Sequence, residues 1–487
     1  MLPDDVLLEL FNLYVNEAGR IEKWHTLVHV CRRWRNVVFS SPRRLSLQLF
    51  CTARKPVRES LHVWPPLPIV LRHGCYYPML DMDNVYAALK QTDRVCEIRL
   101  WPVPSCQWDN VLEAMGRSFP ELTELRLQSK DETAPVIPDW FLGGFAPRLR
   151  SLRFERIPFP GLPRLLLSTT GLVKISLQKI PHSGYISPET MVTCLSTLPS
   201  LTEFELSFIS PLSRPDRESR RPPLLTRSVL PALRHIGFVG VSEYLEDLAA
   251  RIDSPLLNSL QIKFFNQLIF DTPQLTRFIS RTPELRFKAR QEAHIDISYS
   301  SVGVLIPGVV GKGLRLEISC RPSDWQLSSL AQICSSSFPP TLISSLEHLY
   351  ICDDKHSRLR WQDDIENCQW LELLRPFTAV KNLHLSREFT PRIVPALQEL
   401  VKGRVTEVLP ALKCLYLEEK DPSGPIREAV IYVDSPFFIH LCLASPVIVS
   451  QHSSPEISDI AFSFTTPCLR HHDRTDLYDI VVQNSGQ

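Results

Sequence analysis

Arg99, Arg126 and Arg153 hold the same place in three successive copies of one short apolar motif. Three guanidinium groups in line would suit an acidic or phosphorylated segment. Glu97 and Glu124 stand two residues ahead of two of them, on the same face of an extended strand, where they would neutralise part of that charge. Elsewhere, residues arranged for chemistry are sparse. Gly308-Val-Val-Gly311-Lys312-Gly313 has the composition of a phosphate-cradling loop. That loop needs four residues between its glycines and Ser or Thr after the lysine, so the segment reads as a turn. Cys468, His471 and His472 supply metal-ligand types, but adjacent histidines seldom chelate together and no fourth ligand accompanies them, so no metal is expected. The motifs GxSxG, HExxH and GxGxxG are absent. The expectation is a protein with no catalytic residues and no cofactor, which acts by binding.

The motif that positions the arginines is Leu-x-x-apolar-x-apolar. It starts at Val95, Leu122, Leu149, Leu172, Leu201, Leu233, Leu257, Leu346, Val380 and Leu412, as in Leu122-Thr-Glu-Leu125-Arg-Leu127. Degenerate copies near Leu285 and Leu314 would fill the gap between 257 and 346. The starts from 95 to 233 stand 23–32 residues apart, against roughly 20–29 in leucine-rich repeats. Proline stands two residues before the leading leucine at Pro120, Pro147, Pro199, Pro231, Pro255, Pro283 and Pro410. Lacking a backbone donor, it suits the entry to a strand.

The alternation predicts a short strand with one face in the core. Helices are predicted between strands, over 109–119, 188–198, 242–252, 272–282, 324–334 and 368–377, with Ser187 as the N-cap before Pro188. Strand and helix at this period stack into a curved α/β array, a leucine-rich-repeat solenoid with parallel strands on the concave side and helices on the convex side. The alternative is an ordinary α/β domain. On the concave face the middle residue of each motif points outward: Arg99, Arg126, Arg153, Ser176, Glu205, Gly237, Gln261, Tyr350, His384 and Tyr416. Of these, all but Ser176 and Gly237 are the candidate contacts to a protein substrate.

Composition narrows the class. The chain has 487 residues, with Lys+Arg 54 against Asp+Glu 53. No global positive field draws it to nucleic acid or a membrane surface. At 44% hydrophobic and 22% charged it has the balance of a folded protein. Its 13 cysteines are scattered with no CxxC, so neither a zinc ribbon nor a disulfide framework is expected. The N-terminus is acidic where a secretory signal would be basic. The longest apolar run, 436–450, falls short of the ~20 residues of a membrane span. A cytoplasmic or nuclear protein is expected. Arg214, Arg217, Arg220 and Arg221 among prolines read as a solvated loop.

Residues 1–41 have another texture. Asp4 and Asp5 open a helix where negative charge suits its dipole. Val6 to Tyr14 is apolar on nearly every side, which calls for burial. A second dense stretch runs from Trp24 to Phe39, and about 40 residues rarely bury so much surface alone. Leu2-Pro3-x-Asp5-Val6-Leu7-x-x-Leu10-Phe11, followed by Val30-Cys31-Arg32-x-Trp34, resembles an F-box. The downstream segments around Ser41-Pro42-Arg43-Arg44-Leu45 and Trp64-Pro65-Pro66-Leu67 are similar to the F-box/leucine-rich-repeat proteins numerous in fungi.

The resemblance implies a three-helix F-box that docks on the Skp-family adaptor of a cullin–RING ubiquitin ligase. The implied docking residues are Leu2, Pro3, Val6, Leu7, Leu10, Phe11, Leu27, Val30, Cys31 and Trp34. The other reading is a helical cap sealing the first repeat. Docking predicts that Leu7, Leu10 and Trp34 face solvent; capping predicts that they pack near Leu45 and Leu47. The expected division is an F-box module at 1–41, a linker and first strand or capping region at 42–94, the repeats at 95–425 and a divergent segment at 426–487, a cap or partly disordered.

Overall fold

The computed structural model describes residues 2–432 apart from 17–23, 43–44, 46, 52–56, 74–81, 132–134, 216–225, 268, 288–290, 299, 309–312, 321–322, 354–366, 387, 402–407 and 420–426. The chain divides into a unit over Met1–Pro446 and another over Val447–Gln487, and the second lies outside the described residues, with Cys468, His471 and His472. Lys312 and the Arg217–Arg221 cluster also lie outside them.

One sheet of 16 strands organises the first unit. β1 (Leu49–Cys51), β2 (Ile69–His73), β3 (Val95–Val103), β4 (Glu124–Ser129), β5 (Ser151–Glu155), β6 (Lys174–Ile180) and β7 (Glu203–Phe208) lie side by side, each parallel to the next. β8 (Ser228–Val229) and β10 (Ile252–Asp253) pair apart from it. β9 (His235–Gly240) and β11 (Ser259–Phe265) therefore continue the main sheet directly. β12 (Glu292–Ile297), β13 (Ser301–Pro307) and β14 (Gly313–Ser319) form an antiparallel meander. It enters the sheet reversed, with β14 beside β11 and β12 beside β15 (His348–Asp353). β16 (Asn382–Leu385) and β17 (Cys414–Glu419) follow in parallel, and β18 (Arg427–Tyr432) pairs antiparallel at the edge.

All ten motif copies become strands, and the local cause is a repeated turn. In eight of the ten copies the N–H of the leading residue bonds the carbonyl three before it, as from Leu122 to Phe119, Leu149 to Ala146, Leu201 to Leu198, Leu233 to Leu230, Leu257 to Ser254 and Leu412 to Leu409. The prolines ahead of these leucines occupy the second position of that turn, where their fixed φ fits and their missing donor is not needed. Proline thus sets the turn before the strand and not the strand's first residue. The next residue then donates to its counterpart one repeat earlier: Thr123 to Cys96, Arg150 to Thr123, Val173 to Arg150, Thr202 to Val173, Arg234 to Thr202 and Asn258 to Arg234, all at 2.8–3.0 Å. The leading leucines at 122, 149, 172, 233 and 257 are fully buried, each contributing about 1.5–3 kcal/mol from area removed from water.

Helices at Trp108–Ala114, Leu162–Ser168, Pro188–Ser196, Ser242–Arg251, Pro273–Arg281, Ser323–Ser336 and Asn367–Leu374 join the strands' apolar face in one core. Ser187 caps its helix, its Oγ accepting from the Thr190 N–H at 3.2 Å. One expected repeat is not a strand: Leu285 sits in the helix Pro283–Phe287. Pro283 followed by Glu284 favours a helix start, since proline suits the first helical position and the acid suits the first turn. Leu314 lies in β14, part of the meander and not of a parallel strand–helix repeat. The sheet begins within 42–94, where a first strand is expected, but with two strands, β1 and β2, and it extends to β18 past 425. Among the described residues, no helix is long and apolar enough to cross a membrane.

The N-terminal helices α1 (Asp4–Asn16), α2 (Trp24–Val30) and α3 (Arg32–Ser40) close on Leu7, Leu8, Phe11, Leu27, Val28, Val37 and Val38, all buried. Their core is continuous with that of the sheet through Leu45, Leu47 and Leu49. Trp24 makes the join: its indole N–H donates to the Gln48 carbonyl at 3.1 Å, and its ring meets Trp64 edge-on at 5.1 Å. His25 stacks on the same Trp64 at 4.8 Å.

Candidate functional site

Two surfaces stand out: the sheet face turned away from the helices, and the outer side of α1. On the sheet face, register aligns the middle residues of the motif. Arg72, Arg99, Arg126, Arg153, Ser176, Glu205, Gly237 and Gln261 follow one another across adjacent strands, as expected from Arg99 onward. Gln261 does not lead directly to Tyr350. The meander inserts Arg315, Leu305 and His294 between them, after which Tyr350, His384 and Tyr416 complete the line.

The arginine ladder is interleaved with carboxylates. Arg72 and Arg99 both reach Glu97, at 2.7 and 2.8 Å, and Arg99 and Arg126 both reach Glu124, at 2.8 and 2.6 Å. Burial works against the charged form of Glu124, but hydrogen bonds and charge from Arg99 and Arg126 outweigh it and hold the carboxyl below its ordinary value. Arg153 donates to Gln178 at 3.0 Å, and Gln178 donates in turn to Glu205 at 2.9 Å. Glu205 also accepts from the Ser176 hydroxyl at 2.7 Å. Burial again opposes its charge, yet the bonds from Ser176 and Gln178, with His235 and Arg153 nearby, keep it low. This half of the face is charged in detail and balanced in sum.

The other half is aromatic. His294 stacks on Tyr350 at 4.6 Å, Tyr350 on His384 at 4.2 Å, and His384 on Tyr416 at 4.2 Å, with ring planes within 15°. The strand spacing of about 4.8 Å sets that separation. Burial, with like charge from His348 and His294 added to it, pulls His384 down to about 4. Sequence reasoning named Tyr350, His384 and Tyr416 but missed His294, Arg72 and Arg315.

The outer side of α1 is an apolar stripe. Leu2, Val6, Leu10 and Leu13 are 51, 42, 48 and 68% exposed. The spacing of four and three puts Val6, Leu10 and Leu13 on one side of α1, and Leu2 stands two residues ahead of the helix. Pro3, Val30 and Cys31 are exposed as well. Arg33 ties the start of α3 to this end of α1, donating to the Leu2 carbonyl at 2.5 Å and to Asp4 at 2.6 Å. Three of the residues named for docking face the other way: Leu7, Phe11 and Leu27 are buried, because they form the core that holds three short helices together. Trp34 is half-buried against Phe11 at 4.8 Å. The two expectations for Leu7, Leu10 and Trp34 are each met in part: Leu7 joins the core shared with Leu45 and Leu47, Leu10 faces solvent, and Trp34 lies between.

No family model matches the chain, and no curated protein matches it either. Among solved structures, the leucine-rich-repeat-containing protein LegL7 from Legionella pneumophila is similar over 78% of this chain and 92% of its own, at 13% identity and a TM-score of 0.27. At that TM-score the likeness carries no inference about function.

Proposed function

We propose that the protein is an interaction adaptor with two binding surfaces, a leucine-rich-repeat scaffold joined to an F-box-like module. The apolar stripe Leu2, Val6, Leu10 and Leu13 is the observation that carries this reading. A contiguous exposed apolar surface on a helix otherwise closed on its own core fits a protein partner. In this reading the stripe, with Pro3, Val30, Cys31 and the exposed part of Trp34, docks on a Skp-family adaptor and through it a cullin–RING ubiquitin ligase. The sheet face, from Arg99, Arg126 and Arg153 through Glu205 and Gln261 to Tyr350, His384 and Tyr416, holds the protein substrate. The protein then does no bond chemistry. It works by proximity in the cytosol or nucleus, holding the substrate where a ubiquitin-loaded enzyme reaches it.

A second reading is a scaffold whose helices only cap the array. The Trp24–Gln48 hydrogen bond and the Trp24–Trp64 contact favour it, because they fasten the module to the sheet. Titrating the full chain with a purified Skp-family adaptor separates the two. Micromolar or tighter binding, weakened at least a hundredfold by Val6→Asp/Leu10→Asp, is the expected result. Both positions are exposed, so the double variant should fold; Leu7→Asp would confuse docking with folding. An isotherm the same for wild type and variant, or no binding by the folded chain, leaves the capping reading.

A further inference from the structure

Away from both surfaces, the helix Val57–Val63 packs against the helix Met82–Leu89 near the N-terminal end of the sheet. Arg58, Leu61 and His62 fall at i, i+3 and i+4 on the first, so they share one side. Ala87, Lys90 and Gln91 have the same spacing at the end of the second, and Arg94 follows in the turn before β3. These seven residues line a cleft of about 340 Å³.

The cleft is basic throughout. Arg58, Lys90 and Arg94 bring three cations, His62 adds a fourth when protonated, and among the described residues no carboxylate lines it. Arg94 is fixed in place: its Nε donates to the Leu67 carbonyl at 3.1 Å and one terminal nitrogen to Pro65 at 3.4 Å. Among the described residues, no hydrogen bond or ion pair engages the side chains of Arg58, His62 or Lys90. On the sheet face, by contrast, Arg72, Arg99 and Arg126 each sit on a glutamate. In a chain of net charge +1, this is a local positive field that no described side chain in the cleft balances. Leu61, packed on the core, lowers the polarity of one wall and so strengthens that field.

We propose that this cleft binds a phosphate group bearing at least two negative charges. Guanidinium forks match phosphate oxygens two at a time, a lysine adds a point charge, and the Gln91 amide is a neutral donor at the rim. A single carboxylate would leave two of the three permanent cations unbalanced, whereas a diphosphate or phosphomonoester balances most of them. The phosphate belongs either to a small polyphosphate molecule or to a phosphorylated side chain.

Calorimetric titration of the full chain at 0.15 M salt tests this, with pyrophosphate, phosphoserine, orthophosphate and sulfate as separate probes. The expected result is one saturable site for pyrophosphate or phosphoserine. Arg58→Ala/Lys90→Ala should weaken it at least tenfold, with an unchanged circular dichroism spectrum, and Arg164→Ala, at an exposed position outside the cleft and both surfaces, should leave it alone. Tighter binding of pyrophosphate assigns the site to a small polyphosphate; tighter binding of phosphoserine assigns it to a modified side chain. No saturation at millimolar concentration, equal binding of sulfate, or binding that survives the double substitution overturns the proposal.

Discussion

Replacing Glu246 by glutamine should remove a pH dependence built into the stacking of two neighbouring repeats. Glu246 lies on the helix Ser242–Arg251 and is only 7% exposed. Its carboxylate accepts from the backbone N–H of Gln274 at 2.9 Å and of Leu275 at 2.7 Å, in the first turn of the helix Pro273–Arg281. Thr272 precedes that helix without capping it, so the neighbouring repeat supplies the missing acceptor. Burial is the largest influence on Glu246 and pushes it up to about 7, against the pull of the two N–H bonds; Asp271 and Asp247 add to the rise.

The folded value lies above the ordinary 4.5, so the proton is held more tightly in the folded chain. The resulting stabilisation is full below about 4.5 and lost as pH rises through about 7. At about 1.36 kcal/mol per pH unit, that window amounts to about 3 kcal/mol. Glutamine keeps one acceptor oxygen and has no proton to release, so its contribution stays flat. Urea denaturation followed by tryptophan fluorescence at pH 5 and pH 8 measures the difference. Wild type should lose about 2–3 kcal/mol relative to Glu246→Gln between those two pH values. Equal losses in the two proteins, or a relative gain by wild type, would mean that the helix N-terminus wins over burial and the reasoning fails.

Three further outcomes follow from the packing and the sheet face. Leu152→Ala, at a position 1% exposed in the middle of the parallel strands, should cost about 2–5 kcal/mol in the same urea assay; a cost under 1 kcal/mol would contradict a close-packed repeat core. Arg99→Ala takes a partner from both Glu97 and Glu124. The Glu124 carboxyl should rise toward its ordinary value in an NMR titration, while stability falls by no more than about 1 kcal/mol because the groups are part-exposed. An unmoved Glu124 would show that Arg126 alone holds it. His384 should stay neutral down to about pH 4; a midpoint in the range usual for histidine would refute a stacked, desolvated ring.

The parallel strands were legible because each motif copy carries its own turn, strand and core leucine within a few residues. Leu122-Thr-Glu-Leu125-Arg-Leu127 needs no distant partner to be read, and Pro120 adds a fixed φ where the turn requires it. Leu285 misled because Pro-x-Leu is common to that turn and to a helix start, and the residues that follow decide between them. The meander was hidden because alternation along a strand does not reveal its direction. Over 42–94 only a first strand was legible and not its bounds or its partner, because β1 and β2 lack the full Leu-x-x-Leu-x-Leu motif.

The face was legible in the same measure. Glu97–Arg99 and Glu124–Arg126 pair within one strand, so their neutralisation follows from spacing alone. The His294–Tyr350 stack depends on β12 crossing to β15, which no local pattern announces. On α1, apolarity on all sides left open which residues close the core; only packing separates Leu7 and Phe11 from Val6 and Leu10.

The most direct test of the two-surface account is amide hydrogen exchange of the full chain with and without a saturating purified Skp-family adaptor. The account predicts added protection over α1 and the segment from Val30 to Trp34, with the strands β3 to β7 exchanging as in the free chain. Protection along the sheet strands, or none over α1, would contradict it.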